Sequence, residues 1–297
     1  MSANGPPSFR FHYLTDYSIP QYVAEGGNAS VWRASRPHPN KPGELQAVAI
    51  KVIRDIDSVE RHLSIRGVFM RRLFREISLM AHFAQVEGFV HILDMYMTDV
   101  SKDVATNQAM KPRRDLYIVM PFIDRSLKDL IQLPLFKGGF SEGMTRSFAK
   151  QLLMALACME KSNCIHRDLT LANVLVGGDH PNYKDFGLSR AYFDSNVDIT
   201  NVDLVTLPYR PPELTLRSQD LLAPLTGPKL LGNKIDIWSL GIILVECLIG
   251  KALLDDVKDD VTLLKAIVER VDRPTELNDR VKAMLTEAGF NIVQYRT

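Results

Sequence analysis

The hydrophobic pattern of this chain changes after its first 120 residues, from the alternation of strands to the spacing of helices. Residues 22–34 predict two strands joined by a turn at 25–28. Residues 45–53 and 116–120 predict two further strands, because they are short and largely apolar. Apolar residues at helical spacing predict one helix within 70–83. The first part of the chain is therefore expected to be mainly a β-sheet.

The second part of the chain is expected to be helical. Ser141 is predicted to cap a helix, and the apolar stripe of that helix consists of Phe148, Leu152, Ala155, Leu156 and Met159. Residues 235–249 form the most apolar run, which only Asp236 and Glu246 interrupt. This run is shorter than the ~20 residues that span a bilayer, so it predicts a helix that is buried on all sides.

Polar segments divide the chain. Residues 35–44 and 98–114 predict loops, because they are rich in Pro, Asn, Lys and Asp. Residues 1–16 predict an N-terminal tail without the apolar stretch of a signal peptide. Residues 121–124 lie where the pattern changes from strands to helices. They are expected to join two lobes.

The composition excludes several classes of partner. Lys and Arg total 36 and Asp and Glu total 35, which gives a formal net charge of +1. So small a net charge gives no reason to expect nucleic acid or an anionic membrane as a partner. The three cysteines include no CxxC pair, which argues against a zinc site and a disulfide framework. They favour a reducing, intracellular setting in the cytoplasm or the nucleus.

Four motifs occur in a fixed order along the chain. They are AVAIK at 47–51, REI at 75–77, HRDL at 166–169 with Asn173, and DFG at 185–187. Together they resemble the motifs of the eukaryotic protein kinases.

The resemblance implies an α+β, bilobal protein-kinase fold. Its smaller lobe, residues 17–120, is expected to contain an antiparallel β-sheet and one main helix. Residues 121–124 are then the hinge. The larger lobe, residues 125–297, is expected to be mainly helical.

The resemblance also implies a role for each motif in phosphoryl transfer from ATP. Lys51 is expected to bind the α- and β-phosphates, and Glu76 to hold Lys51. Asp168 is expected to accept the proton of the substrate hydroxyl or to orient it. Asn173 and Asp185 are expected to bind Mg²⁺ through their oxygens. The residues that the resemblance places around ATP are Ala24, Gly26, Val31, Ala49, Lys51, Met120, Phe122, Ile123, Ser126 and Leu175.

Residues 206–213 read TLPYRPPE, which is similar to the TLWYRAPE segment of cyclin-dependent kinases and their MAP-kinase relatives. In that group the residues at Val205 and Arg210 shape a site for a proline directly after the target Ser or Thr. We therefore expect a proline-directed Ser/Thr kinase with protein substrates. The alternative for Arg210 is a structural ion pair.

Activation-loop residues leave two hypotheses open. Asn201 stands where the group usually has a phosphorylated Thr, and neighbouring Thr200 is one candidate for that phosphate. In the other hypothesis a carboxylate, Asp198 or Asp203, replaces it. Thr206 belongs to the same loop. The arginines that the resemblance gathers around such a phosphate are Arg75, Arg167 and Arg190.

Two departures from the family weaken the expectation of turnover. The glycine loop at 24–31 reads AEGGNASV and keeps only one glycine of the family pattern. Thr170 replaces the lysine that Ser/Thr kinases direct at the γ-phosphate, so one catalytic contact loses its charge. The alternative function is a pseudokinase that binds nucleotide and turns over little.

The end of the chain and its regulation carry further expectations. Only 61 residues follow Asp236, so the larger lobe is expected to lack the last family helices: the chain is truncated, or the lobe closes differently. Glu213 then lacks its family partner, unless Arg270, Arg273 or Arg280 substitutes. Residues 70–76 match the cyclin-binding helix only at their last two positions. A regulatory partner is expected, but binding of a cyclin is not supported.

Overall fold

The fold is described from a computed structural model. It describes residues 17–18, 20–26, 29–56, 73–74, 76–102, 109–177, 192–193, 205–218 and 234–270. The chain separates into two compact units. Met1–Asp124 and Leu175–Ser189 form the first, and Arg125–Val174 and Arg190–Thr297 form the second. The limits of the lobes drawn from the sequence stay a prediction.

The first unit contains a five-stranded antiparallel sheet with the strand order β1-β2-β3-β5-β4. Its strands are β1 (Gln21–Gly26), β2 (Ala29–Pro37), β3 (Leu45–Ile53), β4 (Asp94–Lys102) and β5 (Ala109–Pro121). The predicted hairpin is confirmed, since Gly26 pairs with Ala29 across the turn. Strand β3 has the predicted limits.

The loop predicted at 98–114 is wrong, because most of it is strand. Strands β4 and β5 pair from Asp94 opposite Val119 to Lys102 opposite Ala109. A strand requires a partner for its backbone groups, and polar side chains are tolerated where a face meets water. Composition alone therefore mistook the end of a long hairpin for a loop.

Both faces of the sheet are covered by apolar side chains. On one face Trp32, Ile50 and Val119 belong to a buried cluster. On the other, Ile118 packs with Met80. Met80 lies on helix α1, the helical stretch 76–82, and residues 73–74 are helical as well. The helix predicted within 70–83 is therefore confirmed where the chain is described.

The second unit is mainly helical. Its helices are α2 (Leu127–Ile131), α3 (Glu142–Lys161), α4 (Pro212–Ser218), α5 (Lys234–Ile249) and α6 (Asp260–Arg270). Its two-residue strands are β6 (Arg125–Ser126), β7 (Cys164–Ile165) and β9 (Tyr192–Phe193), whereas the two-residue strand β8 (Leu175–Val176) belongs to the first unit. Within the described ranges, no helix has both the length and the apolar character needed to cross a membrane.

Helix α3 follows its sequence closely. The Ser141 hydroxyl accepts a hydrogen bond from the Met144 amide at 3.3 Å, which makes Ser141 the predicted N-cap. All five residues of the predicted stripe are buried: Phe148, Leu152, Ala155, Leu156 and Met159. Apolar residues at every third or fourth position were sufficient to predict which face of α3 is buried.

Helix α5 contradicts the expectation of a helix buried on all sides. Its two carboxylates, Asp236 and Glu246, are each only 1% exposed, whereas Ile237 is 48% and Leu248 is 45% exposed. The physical reason is that each carboxylate accepts hydrogen bonds from groups packed against the helix. These bonds hold the charged face inwards and leave part of the apolar surface outside.

Candidate active site

The pair formed by Lys51 and Glu76 lies in the first unit. Lys51 is on β3 and Glu76 is on α1, and the Lys51 ammonium lies 2.5 Å from the Glu76 carboxylate. Their side chains are 15% and 19% exposed. Because little water surrounds this ion pair, the attraction between its two charges is only weakly screened. The carboxylate therefore also orients the ammonium. It can hold the ammonium in one place for an anionic ligand.

Strand register gathers several predicted nucleotide contacts around Lys51. Val31 of β2 lies directly opposite Lys51, and Ala24 of β1 lies opposite Val31. Ala49 lies opposite Met120 of β5. Because directly opposed residues share a face, these five side chains form one continuous surface. Gly26 ends β1, and residues 27–28 of the glycine loop lie outside the described residues.

The segment after β5 is tied back to the sheet. The Phe122 amide donates to the Ala47 carbonyl at 3.2 Å. The backbone of Phe122 therefore has only its carbonyl left to form a hydrogen bond with a ligand. The Arg33 guanidinium lies 4.7 Å from the centre of the Phe122 ring, a cation–π contact. Sequence reasoning missed Arg33, although it is two residues beyond Val31 on the same strand face. Ile123 follows and is half-buried.

Ser126, one of the predicted nucleotide contacts, has a structural role of its own. The Ser126 hydroxyl caps α2, since it accepts from the Asp129 amide at 3.2 Å and donates to the Asp129 carboxylate at 2.6 Å. The Ser126 hydroxyl is therefore engaged in a capping box. Leu175 is half-buried at the start of β8.

Asp236 anchors the catalytic loop in the second unit. Its two carboxylate oxygens accept the backbone amides of His166 at 2.7 Å and Arg167 at 2.8 Å. Burial raises the pKa of Asp236 to about 6, and the two amide bonds oppose that rise. Arg167 has a φ of 66°, a conformation that costs a non-glycine residue energy. The Asp236 carboxylate holds the backbone in that conformation directly before Asp168.

Asp168 is held at both carboxylate oxygens. The Thr206 hydroxyl donates to Oδ1 at 2.5 Å, and the Asn173 amide donates to Oδ2 at 2.8 Å. The same Asn173 amide nitrogen donates to the Asp168 carbonyl at 2.6 Å. These bonds bring three of the predicted residues together and fix the direction of the carboxylate. None of these donors carries a charge.

Thr170 has a structural role where the family has a lysine. It is buried, and its hydroxyl oxygen accepts the Asn173 backbone amide at 3.3 Å. The same amide donates to the Thr170 carbonyl at 3.1 Å. Thr170 therefore stabilises the turn that places Asn173, and it brings no cation towards Asp168.

The donor set suits a hard cation at Asn173. Because the Asn173 amide nitrogen donates to Asp168, its carbonyl oxygen is the atom left to act as a ligand. An amide oxygen is a ligand that Mg²⁺ accepts. Asp185, the second predicted ligand, lies outside the described residues. Within those residues no three His, Cys, Asp or Glu side chains form a group that could hold a metal.

Arg210 forms the ion pair that the sequence offered as the alternative to a proline site, and it also contacts Val205. Its guanidinium donates to the Asp260 carboxylate at 2.6 Å, which is an ion pair. It also donates to the Val205 carbonyl through Nη2 at 3.0 Å and through Nε at 3.3 Å. The ion pair and the contact with Val205 therefore coexist.

Several predicted residues cannot be placed. Outside the described residues lie Arg75, Asp185, Arg190, Thr200 and Asn201. Thr206 is exposed, and Arg167 is buried.

One of the predicted substitute partners for Glu213, Arg270, lies within the described residues. Burial raises the pKa of Glu213, and Lys234 opposes that rise. Arg270 pairs with Asp256 at 2.5 Å and does not substitute for the family arginine. Arg273 and Arg280 lie outside the described residues.

Comparison with protein families assigns the chain. The model of the protein kinase domain matches residues 17–289. This chain belongs to the protein kinase family. The five-stranded antiparallel sheet of the first unit and the helices of the second agree with that fold, so the predicted fold class is confirmed.

The kinase is similar to cyclin-dependent and mitogen-activated protein kinases. It is 28% identical to cyclin-dependent kinase 12 of Caenorhabditis elegans, over 82% of this chain and 29% of the relative. Mitogen-activated protein kinase 15 of Xenopus laevis is 26% identical, over 97% and 43%. Cyclin-dependent kinase C-2 of Arabidopsis thaliana is 29% identical, over 92% and 49%. The kinase thus spans about a third to a half of the length of these relatives.

Proposed function

We propose that this kinase transfers the γ-phosphoryl group of ATP to a Ser or Thr that directly precedes a proline in a protein. The observation that carries the proposal is the setting of Asp168, whose oxygens are held by Asn173 and Thr206. A carboxylate fixed in one direction is suited to take a proton from a hydroxyl as that hydroxyl attacks.

The reaction assigns each polar group one task. The substrate oxygen bonds to the γ-phosphorus, and the bond from that phosphorus to the β,γ-bridging oxygen breaks. ADP leaves with the bridging electron pair, and Asp168 accepts the hydroxyl proton. Lys51, held by Glu76, binds the α- and β-phosphates. Mg²⁺, when bound, neutralises phosphate charge, and Asn173 and Asp185 are its proposed ligands.

The preference for proline is supported by the contact between Arg210 and Val205. A substrate residue after the target presents a backbone N–H that requires an acceptor when it is desolvated. The Val205 carbonyl already accepts two guanidinium bonds. Proline has no N–H and lacks this requirement. The similarity to cyclin-dependent and mitogen-activated kinases supports the same preference.

A pseudokinase remains the second candidate, and Thr170 favours it. The buried Thr170 hydroxyl is engaged by the Asn173 amide, so this position supplies a turn contact in place of a cation for the γ-phosphate. Removing one contact to the transferred group can cost about 10²-fold in rate. Binding of nucleotide without transfer is the behaviour that this candidate predicts.

The proposed setting follows from the same reading. Protein substrates with Ser-Pro or Thr-Pro sites are the proposed partners, with regulation by a further protein. Cys158, Cys164 and Cys247 are all free thiols. A reducing location in the cytoplasm or the nucleus is proposed from the sequence alone, because its three cysteines include no CxxC pair.

The test is a transfer assay with radiolabelled ATP, Mg²⁺ and matched Ser-Pro and Ser-Ala peptides. We expect the wild type to label the Ser-Pro peptide preferentially. The variant Asp168→Asn should lower kcat by about 10²–10⁴. The control Asp255→Asn makes the same chemical change at an exposed position and should leave kcat unchanged.

The outcomes separate the two candidates. Equal labelling by the wild type and Asp168→Asn would exclude Asp168 as the base. Thermal stabilisation by ATP with Mg²⁺ in the absence of any transfer would favour the pseudokinase. Labelling of both peptides at equal rates would retain the kinase and remove the preference for proline.

A further inference from the structure

The second unit ties the turn before Arg210 to a helix that lies about fifty residues later. Arg210 follows the short 3-10 turn Leu207–Tyr209, and Asp260 begins helix α6. The Arg210 Nη1 atom donates to the Asp260 carboxylate at 2.6 Å. This bond connects the segment that is expected to contact the substrate with a helix that contains none of the proposed catalytic residues.

Burial makes this ion pair directional. The Arg210 and Asp260 side chains are 8% and 17% exposed, whereas Arg270 and Asp256 are 35% and 60% exposed. A guanidinium removed from water has to find acceptors for its N–H groups within the protein. Once Asp260 takes Nη1, the fixed fork of the guanidinium directs Nε and Nη2 towards the Val205 carbonyl.

The position of Asp260 is itself fixed. The adjacent Asp259 caps α6, since its carboxylate accepts the Thr262 amide at 2.7 Å. Leu263 and Ile267 of α6 belong to an apolar cluster against which Leu207 packs. The carboxylate is therefore held against the turn both by a capped helix and by its packing.

We propose that Asp260 is a positioning residue that sets the preference for proline after the phosphorylated residue, by holding the Arg210 guanidinium against the Val205 carbonyl. This inference rests on the proposed proline-directed kinase activity. Without the carboxylate, the buried cation turns to other acceptors and releases Val205. The freed carbonyl then accepts the N–H of a residue other than proline.

The test compares three peptides that differ only after the target serine: proline, alanine and N-methylalanine. N-methylalanine lacks the N–H but has no ring, so it separates the missing donor from the ring shape. We expect the wild type to phosphorylate the N-methylalanine peptide more nearly as it does the proline peptide. The measured quantity is kcat/KM for each peptide, with kcat and KM determined separately.

Variants at Asp260 should change the ratio between peptides. Asp260→Ala should lower the proline-to-alanine ratio of kcat/KM by roughly tenfold, the scale of one charge-assisted hydrogen bond. Asp260→Asn, which keeps an acceptor, should fall between Asp260→Ala and the wild type. Asp260→Glu, which keeps the charge, should retain more of the ratio than Asp260→Asn. The exposed-pair control Asp256→Asn should leave the ratio unchanged.

The readout distinguishes positioning from general structural damage. If Asp260→Ala lowers kcat/KM equally for all peptides, Asp260 is only structural and the inference is wrong. A wild type that treats N-methylalanine like alanine also overturns it, because the carbonyl then does not read the N–H. If Asp260→Ala does not fold, the ratio measured for Asp260→Asn decides. A wild type that transfers phosphate without any preference refutes the proposed specificity instead, and no transfer at all refutes the proposed activity.

Discussion

Glu76 in the first unit is held by a different kind of donor from Asp168 and Asp236 in the second. In the first, Glu76 is paired with a cation, the ammonium of Lys51, at 2.5 Å. In the second, the bonds described for Asp168 come from a hydroxyl and an amide. Asp236 likewise accepts two backbone amides. A cation therefore pairs with Glu76, whereas the bonds described for Asp168 and Asp236 come from oriented neutral groups.

The difference fits the proposed tasks. An ion pair keeps a cation in place, so Glu76 can present Lys51 to phosphates. Neutral donors orient a carboxylate without cancelling its charge, which leaves Asp168 able to accept a proton. The same principle holds Glu246, which accepts from the Tyr209 hydroxyl at 2.9 Å and the Leu253 amide at 3.0 Å.

Among the changes that test this comparison, the largest effect is expected where the cation itself is removed. Lys51→Met should lower kcat/KM for ATP by about 10²–10³, because the phosphates lose a charged contact in a site with little water. Steady-state kinetics at varied ATP concentration measure this. The matched control is Lys41→Met, which breaks an exposed pair with Glu44 in the same unit and should change kcat/KM less than twofold. A similar loss in both variants would show that the Lys51 pair has no special role.

A cation added to the second unit should make its site more like that of the first. Thr170→Lys should raise kcat by roughly tenfold, since a charged contact with the γ-phosphate adds stabilisation in the transition state. Loss of the bond to the Asn173 amide should lower the free energy of unfolding by about 1 kcal/mol. Single-turnover assays and chemical denaturation measure the two effects. A fall in kcat would show that the turn contact outweighs the added charge.

The smallest effect is expected where one neutral donor is removed. Tyr209→Phe deletes the hydroxyl that donates to Glu246. Burial raises the pKa of Glu246, and the hydrogen bond from Tyr209 opposes that rise. The free energy of unfolding should fall by about 1–2 kcal/mol at pH 7.5. The control Tyr22→Phe removes a hydroxyl from a residue that is 38% exposed and should change little.

The pH dependence of that loss has a definite sign. A raised pKa means that the stability linked to Glu246 is greatest below its unfolded pKa and declines as the pH rises through the folded pKa. Without the Tyr209 hydroxyl the pKa rises further. The destabilisation by Tyr209→Phe should therefore be largest at neutral pH and shrink as Glu246 becomes protonated. Denaturation curves at pH 5 and 7.5 measure it, and an increase of the loss at low pH would contradict the assigned donor.

Local patterns in the sequence predicted the local elements well. The apolar stripe of α3 and its cap at Ser141 could both be predicted from the sequence. The stripe is clear because a helix repeats its buried face every three to four residues. The limits of β3 were equally clear. The kinase motifs predicted the family. They also identified Asp168 and Asn173, which lie only five residues apart in the sequence.

Only the tertiary structure decided which distant groups meet. Asp236 holds amides that lie about seventy residues earlier, and Arg210 reaches Asp260 fifty residues later. Local composition also failed to predict that Glu246 is buried and that β4 and β5 form a long hairpin. The physical reason is that periodicity records which side of an element is covered, whereas the partner of a buried charge is set by how elements far apart in sequence pack.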